Sequence, residues 1–329
     1  MTRITLRVRE LLILSSTLLA AASTFAGADH HMHIHSDSAA EVWAAMCDAM
    51  PGSCDDEMQA PTSASTGSDA IQVLDAAGLD KGLILSLGYF YGVPELADSK
   101  FNDYRLVRAE NAYVAEQVSN FPDRLVGFFS VNPLAEYAIE EVTYWAEHGG
   151  LAGLKLHLAN SDIDFKNPLH IAKLCEVFDV MNEFALPVVI HLRNRNPEYG
   201  YADAALFINE VAKYAPKVTL QLAHVAGWGG YDAQTDGAVK AFLDAIDDGV
   251  LDRSKVWFDI AALVTTRMPD KVYASLPARL REIGFDRLLF ATDWDEVDPK
   301  SHIATVRKHL SLSDEEWGQL MSNEAPYSQ

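Results

Sequence analysis

The chain has 329 residues, 49% hydrophobic and 22% charged, with a formal net charge of −21. This is the composition of a globular domain with ample apolar material for a core. Such acidity argues against a nucleic-acid partner, whose phosphates call for clustered Lys and Arg, and past the N-terminus no run reaches the roughly 18 apolar residues that span a bilayer.

The first residues read as an export signal. Arg3, Arg7 and Arg9 precede the apolar run LLILSSTLLAAAS (11–23), and small residues follow at Ala22 and at Ala28. Cleavage after Ala22 is expected, because it keeps STFAGADHH at the head of the first strand; cleavage after Ala28 would shorten that strand. An uncleaved anchor helix is the competing reading. The plan is therefore a signal peptide over 1–22 and one domain over 23–329, exported and placed in the periplasm.

The elements then follow in chain order. A first strand over 26–34 carries four histidines, His30, His31, His33 and His35. Cys47 and Cys54 bracket DAMPGS and are open to two readings, a local disulfide in an oxidising compartment or two free thiols. Residues 50–69 read as an irregular loop. A helix over 68–79, with Ser68 as N-cap and Gly78 near its end, leads to a strand over 82–87. Helices over 101–121, 133–150, 168–185, 202–214, 237–248, 270–284 and 300–310 alternate with strands over 125–131, 152–158, 187–192, 217–224, 255–263 and 287–293. A last short helix, 313–323, opens on a capping box of Ser313 and Glu316. Cys175 falls in an apolar helical pattern and reads as a small buried residue. Most strands are continuous apolar runs, as parallel strands covered on both faces should be. Eight strands alternating with eight helices predict an α/β fold, a (β/α)8 TIM barrel in a single domain with a loop insertion after strand 1. An open doubly wound sheet competes, but no glycine-rich phosphate loop follows any strand.

In such a barrel, chemistry collects at the C-terminal ends of the strands. There stand His31 and His33 on strand 1, Lys155 and His157 on strand 4, His191 on strand 5, His224 on strand 6 and Asp293 on strand 8. Residues two apart on a strand share a face, so His31 pairs with His33 and Lys155 with His157. His30 then faces the other way and is structural, and His35 is expected to line the pocket. Arg193 shares the face of His191 if that strand persists, where it would clamp a carboxylate; a surface arginine is the equal alternative. GYFYG (88–92), Trp294 and GWGG (227–230) also flank the mouth, as walls or as packing. His148, His170, His302 and His309 read as surface or packing residues, and Asp55, Asp56 and Glu57 as a solvated acidic loop.

DHHMH, followed by GLKLH, VVIH, QLAH and LLFATD, resembles the amidohydrolase superfamily, and most of all its amidohydrolase-2 group of metal-dependent hydrolases and aminocarboxymuconate-semialdehyde-type decarboxylases. The likeness runs from about residue 28 to the end, through FPDRLVGFFSVNPL, GLKLHLANSDIDF, AHVAGWGGYD and NEAPY, and is similar to an exported branch of that group. The resemblance implies metal ligands at His31, His33, His191 and Asp293. It implies that His224 either supports a ligand or takes part in catalysis beside Asp293; from their place at the mouth, Lys155, His157 and Arg193 are expected to face substrate. A register using His33 and His35 instead lacks an Asp at position 31. Three imidazoles and a carboxylate suit one Zn²⁺, with Mn²⁺ as alternative; a second ion requires a carbamylated Lys155, which is expected to be unmodified. Such an ion lowers the pKa of bound water toward ~7. Asp293 would ligate the ion or carry the water's proton, and His224 would hold the water or polarise a carbonyl. The first expectation is a metal-dependent hydrolase of an amide, ester or lactone in a small acidic substrate. A non-oxidative decarboxylase on the same scaffold is the alternative, and a non-catalytic binding barrel the third. The expected partner is that small molecule, with no nucleic acid and no membrane after signal removal; a homo-oligomer is left open.

Overall fold

The structure, a computed structural model, describes residues 27–50, 54 and 60–328. The expected signal peptide and the acidic residues Asp55, Asp56 and Glu57 lie outside the described residues. Eight parallel strands stand side by side in sequence order: β1 (Ala28–His33), β2 (Lys81–Leu85), β3 (Leu125–Ser130), β4 (Gly153–His157), β5 (Val188–His191), β6 (Leu220–Leu222), β7 (Val256–Asp259) and β8 (Leu288–Leu289). Backbone bonds close the ring, from His30 N to Phe290 O (3.0 Å) and from Asp293 N to His31 O (2.8 Å). The fold is the TIM barrel that the alternation predicts.

Helices cover the outside: α2 (Gly67–Ala77), α3 (Tyr104–Ser119), α4 (Ala138–His148), α5 (Pro168–Phe184), α6 (Tyr201–Glu210), α7 (Ala233–Asp247), α8 (Asp270–Ile283), α9 (Pro299–His309) and α10 (Asp314–Ser322). The main core lies between this layer and the sheet, where Leu154, Leu156, Val188, Ile190 and Phe207 are completely buried. The N-cap of α2 is Thr66 rather than Ser68, because Thr66 and Asp69 bond reciprocally; Ser313 and Glu316 form the expected capping box.

One helix departs from the sequence reading. Residues 37–49 form α1 (Asp37–Ala49), capped by Ser36, whose side chain accepts from Ala39 N. Ala39, Val42, Trp43 and Met46 fall three or four apart and are buried together. Glu110 of α3 holds the cap in place, accepting from Ser36 N at 3.2 Å and from its hydroxyl. Cys47, near the end of α1, is joined to Cys54 in a disulfide, with Cα atoms 5.4 Å apart.

Strands β6 to β8 are shorter than the apolar runs suggest. β6 stops where His224, Val225 and Ala226 take left-handed backbone (φ 53°, 53° and 62°), and Asp293, beyond β8, does the same (φ 72°). Non-glycine residues rarely adopt this region, which recurs at functional sites.

Candidate metal centre

The C-terminal ends of the strands surround a cavity of about 400 Å³. At its base, ligand atoms of His31, His33 and Asp293 lie within 4.8 Å of one another. His31 and His33 come from one strand, two residues apart, and Asp293 from the turn after β8. Asp293 Oδ1 is 3.2 Å from His31 Nε2 and 3.4 Å from His33 Nε2, and its Oδ2 is 3.8 Å from His224 Nε2.

What points these nitrogens inward is the bond each ring makes on its other side. His31 Nδ1 donates to Asp259 Oδ2 (3.2 Å), His33 Nδ1 to Leu85 O (2.8 Å) and His224 Nδ1 to Ala261 O (2.8 Å). A neutral imidazole that donates from Nδ1 carries its lone pair on Nε2. Burial, and then the charge of Lys155, lower the His31 pKa to about 4, so His31 is neutral at pH 7. Against burial, which raises it, His31, His224 and His33 hold the Asp293 carboxyl well below its ordinary range. With Nδ1 engaged on its outer side, each of the three rings turns Nε2 toward the Asp293 carboxylate, the arrangement by which outer hydrogen bonds orient histidines that hold a metal ion.

His191 adds to this. It lies outside the 4.8 Å cluster but lines the same cavity, its ring 5.0 Å from that of His224. Its Nε2 is buried and, among the described residues, has no hydrogen-bond partner, an expensive state for a polar atom. It becomes satisfied if it reaches an ion. His157 holds the register position opposite His191 and stacks on it, centroids 3.9 Å apart. Lys155 is 1% exposed, and burial lowers its ammonium pKa to about 8. Its Nζ stands 3.1 Å from His31 Nε2.

Other positions settle differently. His30 bonds Phe290 O (3.0 Å) away from the cavity. Asp29 is wholly buried and accepts from Thr292 N (3.0 Å) and His31 N (3.1 Å), tying β1 to the end of β8. His35 does not line the cavity as expected. Strand alternation ends at His33, and His35 turns to Ser65 Oγ (2.9 Å) and Ser63 O (3.0 Å). Arg193 also lies outside the cavity lining, because β5 ends at His191; it bonds Asp232 at 2.7 Å. Arg195 lines the cavity instead, donating to Ala159 O (2.7 Å) and paired with Glu95 across two loops (3.2 Å). The walls are aromatic and thioether: Trp43, Met46 and Met50 from α1 and its end, Tyr89 and Phe90 after β2, Trp228 after β6. Trp294 is not among them.

Sequence reasoning missed Asp259 and Gln221. Asp259 is completely buried; besides His31, it accepts from His224 N (2.9 Å), Ala261 N (3.1 Å) and Gln221 Nε2 (2.6 Å). Against burial, the imidazole of His31 and its hydrogen bond draw its pKa down to about 2. The available signal was one acid, and one amide, inside otherwise apolar runs.

The sequence model of a family described as amidohydrolase matches residues 97–316. The chain belongs to the amidohydrolase family. Among known members of such folds, a gamma-resorcylate decarboxylase of Polaromonas sp. (strain JS666 / ATCC BAA-500) is 23% identical over 273 residues, 74% of this chain and 81% of that protein. The 5-carboxyvanillate decarboxylase from Sphingomonas paucimobilis superposes with a TM-score of 0.62 at 14% identity, over 90% of this chain and 96% of that one. A probable 2-pyrone-4,6-dicarboxylic acid hydrolase from Acinetobacter baumannii gives 0.57 at 15% identity, over 90% and 96%. A 5-carboxyvanillate decarboxylase from Novosphingobium aromaticivorans, solved with bound manganese, gives 0.56 at 14% identity, over 90% and 94%. This amidohydrolase thus shares its fold with decarboxylases and a hydrolase, and its cluster of His31, His33 and Asp293 is of the kind that holds a divalent ion.

Proposed function

We propose that this amidohydrolase is a metal-dependent, non-oxidative decarboxylase of a small aromatic carboxylic acid. Hydrolysis, the first expectation from the sequence, gives way because the curated relative is a decarboxylase and the fold neighbours include others. The observation that carries the reading is the pairing of the His31–His33–Asp293 cluster with a cavity of about 400 Å³ walled by Trp43, Tyr89, Phe90 and Trp228. Flat aromatic walls favour a planar ring, through apolar burial and edge-to-face contacts.

His31, His33, His191 and Asp293 would hold the ion. A divalent ion bound there supplies a Lewis acid that fixes and polarises the substrate's oxygens. Zinc suits three imidazoles and a carboxylate; manganese, seen in the Novosphingobium enzyme, is the other candidate. Lys155, as ammonium, pairs with the substrate carboxylate before the bond breaks. Decarboxylation replaces the carboxylate with a proton: the carbon–carbon bond cleaves, CO₂ leaves, and the ring carbon takes up H⁺. Asp293 stands beside His224 Nε2, a pair able to relay that proton to the ring carbon. Tyr89, Phe90 and Trp228 orient the ring and exclude water.

The test is incubation of zinc- or manganese-loaded protein with hydroxybenzoic and vanillic-type acids, lactones and N-acyl compounds. CO₂ release matched by the decarboxylated ring supports the reading. Lactone or amide cleavage with a new carboxylate and no CO₂ overturns it in favour of hydrolysis.

A further inference from the structure

We propose that residues 323–328, at the end of the barrel opposite the cavity, position the metal-facing nitrogen of His31 through a buried chain of hydrogen bonds. The placement of this segment is well tied down. Asn323 Nδ2 donates to Phe285 O (2.6 Å) and Leu288 O (2.7 Å), where β8 begins. Ala325 N donates to His30 Nε2 (3.3 Å), and Lys81, which opens β2, reaches Glu324 (3.1 Å) and Ser328 O (3.3 Å). All of these sit at or near the strand starts, so the segment lies across the floor of the barrel.

From that floor Tyr327 points inward. Its ring packs on Phe128 of β3, centroids 5.2 Å apart, and its hydroxyl donates to Gln221 Oε1. Gln221 is completely buried at the centre of β6. Its Nε2 donates to Asp259 Oδ2 (2.6 Å) and to His30 O (2.9 Å). The order of atoms matters. With the amide oxygen engaged by Tyr327, the amide nitrogen faces Asp259; the reversed amide would set oxygen against carboxylate. Asp259 Oδ2, thus held, receives His31 Nδ1 (3.2 Å). That bond fixes the tautomer and leaves the His31 Nε2 lone pair in the cavity. Neither Tyr327 nor Gln221 lines the cavity. They are positioning residues, and a hydroxyl at the floor decides how a ligand is presented at the mouth.

This inference rests on the metal reading of His31 and not on the reaction catalysed. The test compares wild type with Tyr327→Phe, Gln221→Met and the double variant. Three quantities are read: metal affinity by chelator competition, the visible spectrum of the Co²⁺-loaded protein, and melting temperature without metal. Outer-sphere partners of metal-bound histidine typically contribute 10–100-fold in affinity, so Gln221→Met should bind about 10-fold more weakly with an altered Co²⁺ spectrum. Tyr327→Phe should shift both in the same direction by less. The double variant should bind no more weakly than Gln221→Met alone, since a broken chain cannot break twice. Losses that multiply in the double variant, or melting changes with unaltered affinity and spectrum, overturn the inference. Should Gln221→Met fail to fold, Tyr327→Phe, which removes one hydroxyl, decides by affinity and spectrum. A wild type that takes up no ion overturns the metal reading as well; a loaded wild type with unchanged variants overturns this inference alone.

Discussion

Replacing Glu110 by Gln should invert its effect on stability between acid and alkaline pH. Glu110 is 1% exposed, and burial raises its pKa from 4.5 to about 7, against the lowering effect of its bonds from Ser36. In the unfolded chain the group ionises near its ordinary value, so between the two pKa values the folded state binds more protons. Stability from this group therefore falls as pH rises, with the full cost present above about 7 and little of it below about 4.5. At 1.36 kcal/mol per unit, the cost should grow by about 2.5 kcal/mol between about pH 5 and about pH 8.5. Gln cannot ionise, but its NH₂ cannot accept from Ser36, a loss of about 1 kcal/mol at either pH. Relative to wild type, Glu110→Gln should thus melt slightly lower at pH 5 and higher at pH 8.5. The difference should swing by about 5 °C, taking roughly 2 °C per kcal/mol for a domain of this size. Thermal melts of the metal-free proteins at the two pH values measure it, and shifts common to both chains cancel. Parallel melting curves, offset equally at both pH values, would refute the reasoning. The site matters because Ser36 caps α1, the helix that carries Trp43 and Met46 into the cavity wall.

Three further outcomes are expected. A Cβ at Gly153 would sit 2.5 Å from two ring carbons of Phe128 and 2.7 Å from Pro187 O, so Gly153→Ala should cost about 1–3 kcal/mol in denaturant unfolding. Trp228 is 45% exposed and faces His191 edge-on at 5.0 Å; Trp228→Ala should raise KM for an aromatic acid several-fold while leaving metal content unchanged. If the chain is exported as the N-terminus suggests, the secreted protein should begin at Ser23. Intact mass should then show the Cys47–Cys54 pair oxidised, and a cytosolic, full-length product would contradict the signal-peptide reading.

The barrel was legible because strands and helices differ in length and punctuation, and eight of each in alternation, with no glycine-rich phosphate loop after any strand, favour a closed ring over an open sheet. The gathering of the site was legible through simple geometry, since His31 and His33 share a face two residues apart and other strands end at the same mouth, while the choice of Asp293 as ligand came from the resemblance to amidohydrolases. Where the strand stops, that geometry stops too. Alternation carried past His33 and His191 assigned His35 and Arg193 to the cavity, and the backbone turns each elsewhere. Arg195 reaches the cavity because of how the loop after β5 runs, which no periodicity encodes. The helix Asp37–Ala49 was obscured by the histidine run before it and the irregular segment after it, although Ala39, Val42, Trp43 and Met46 carry its stripe. Asp259 and Gln221 stayed hidden because a lone polar residue in an apolar strand shows no partner until the barrel closes around it.

The central claim is that imidazoles and a carboxylate from distant strands share one divalent ion. Metal analysis of purified protein, wild type beside His33→Ala and Asp293→Asn, tests it most directly. The account predicts one equivalent of a divalent ion in the wild type and a large loss in both variants, each still folded by circular dichroism. Equal metal in all three proteins, or none in a folded wild type dialysed against zinc and manganese, would contradict it.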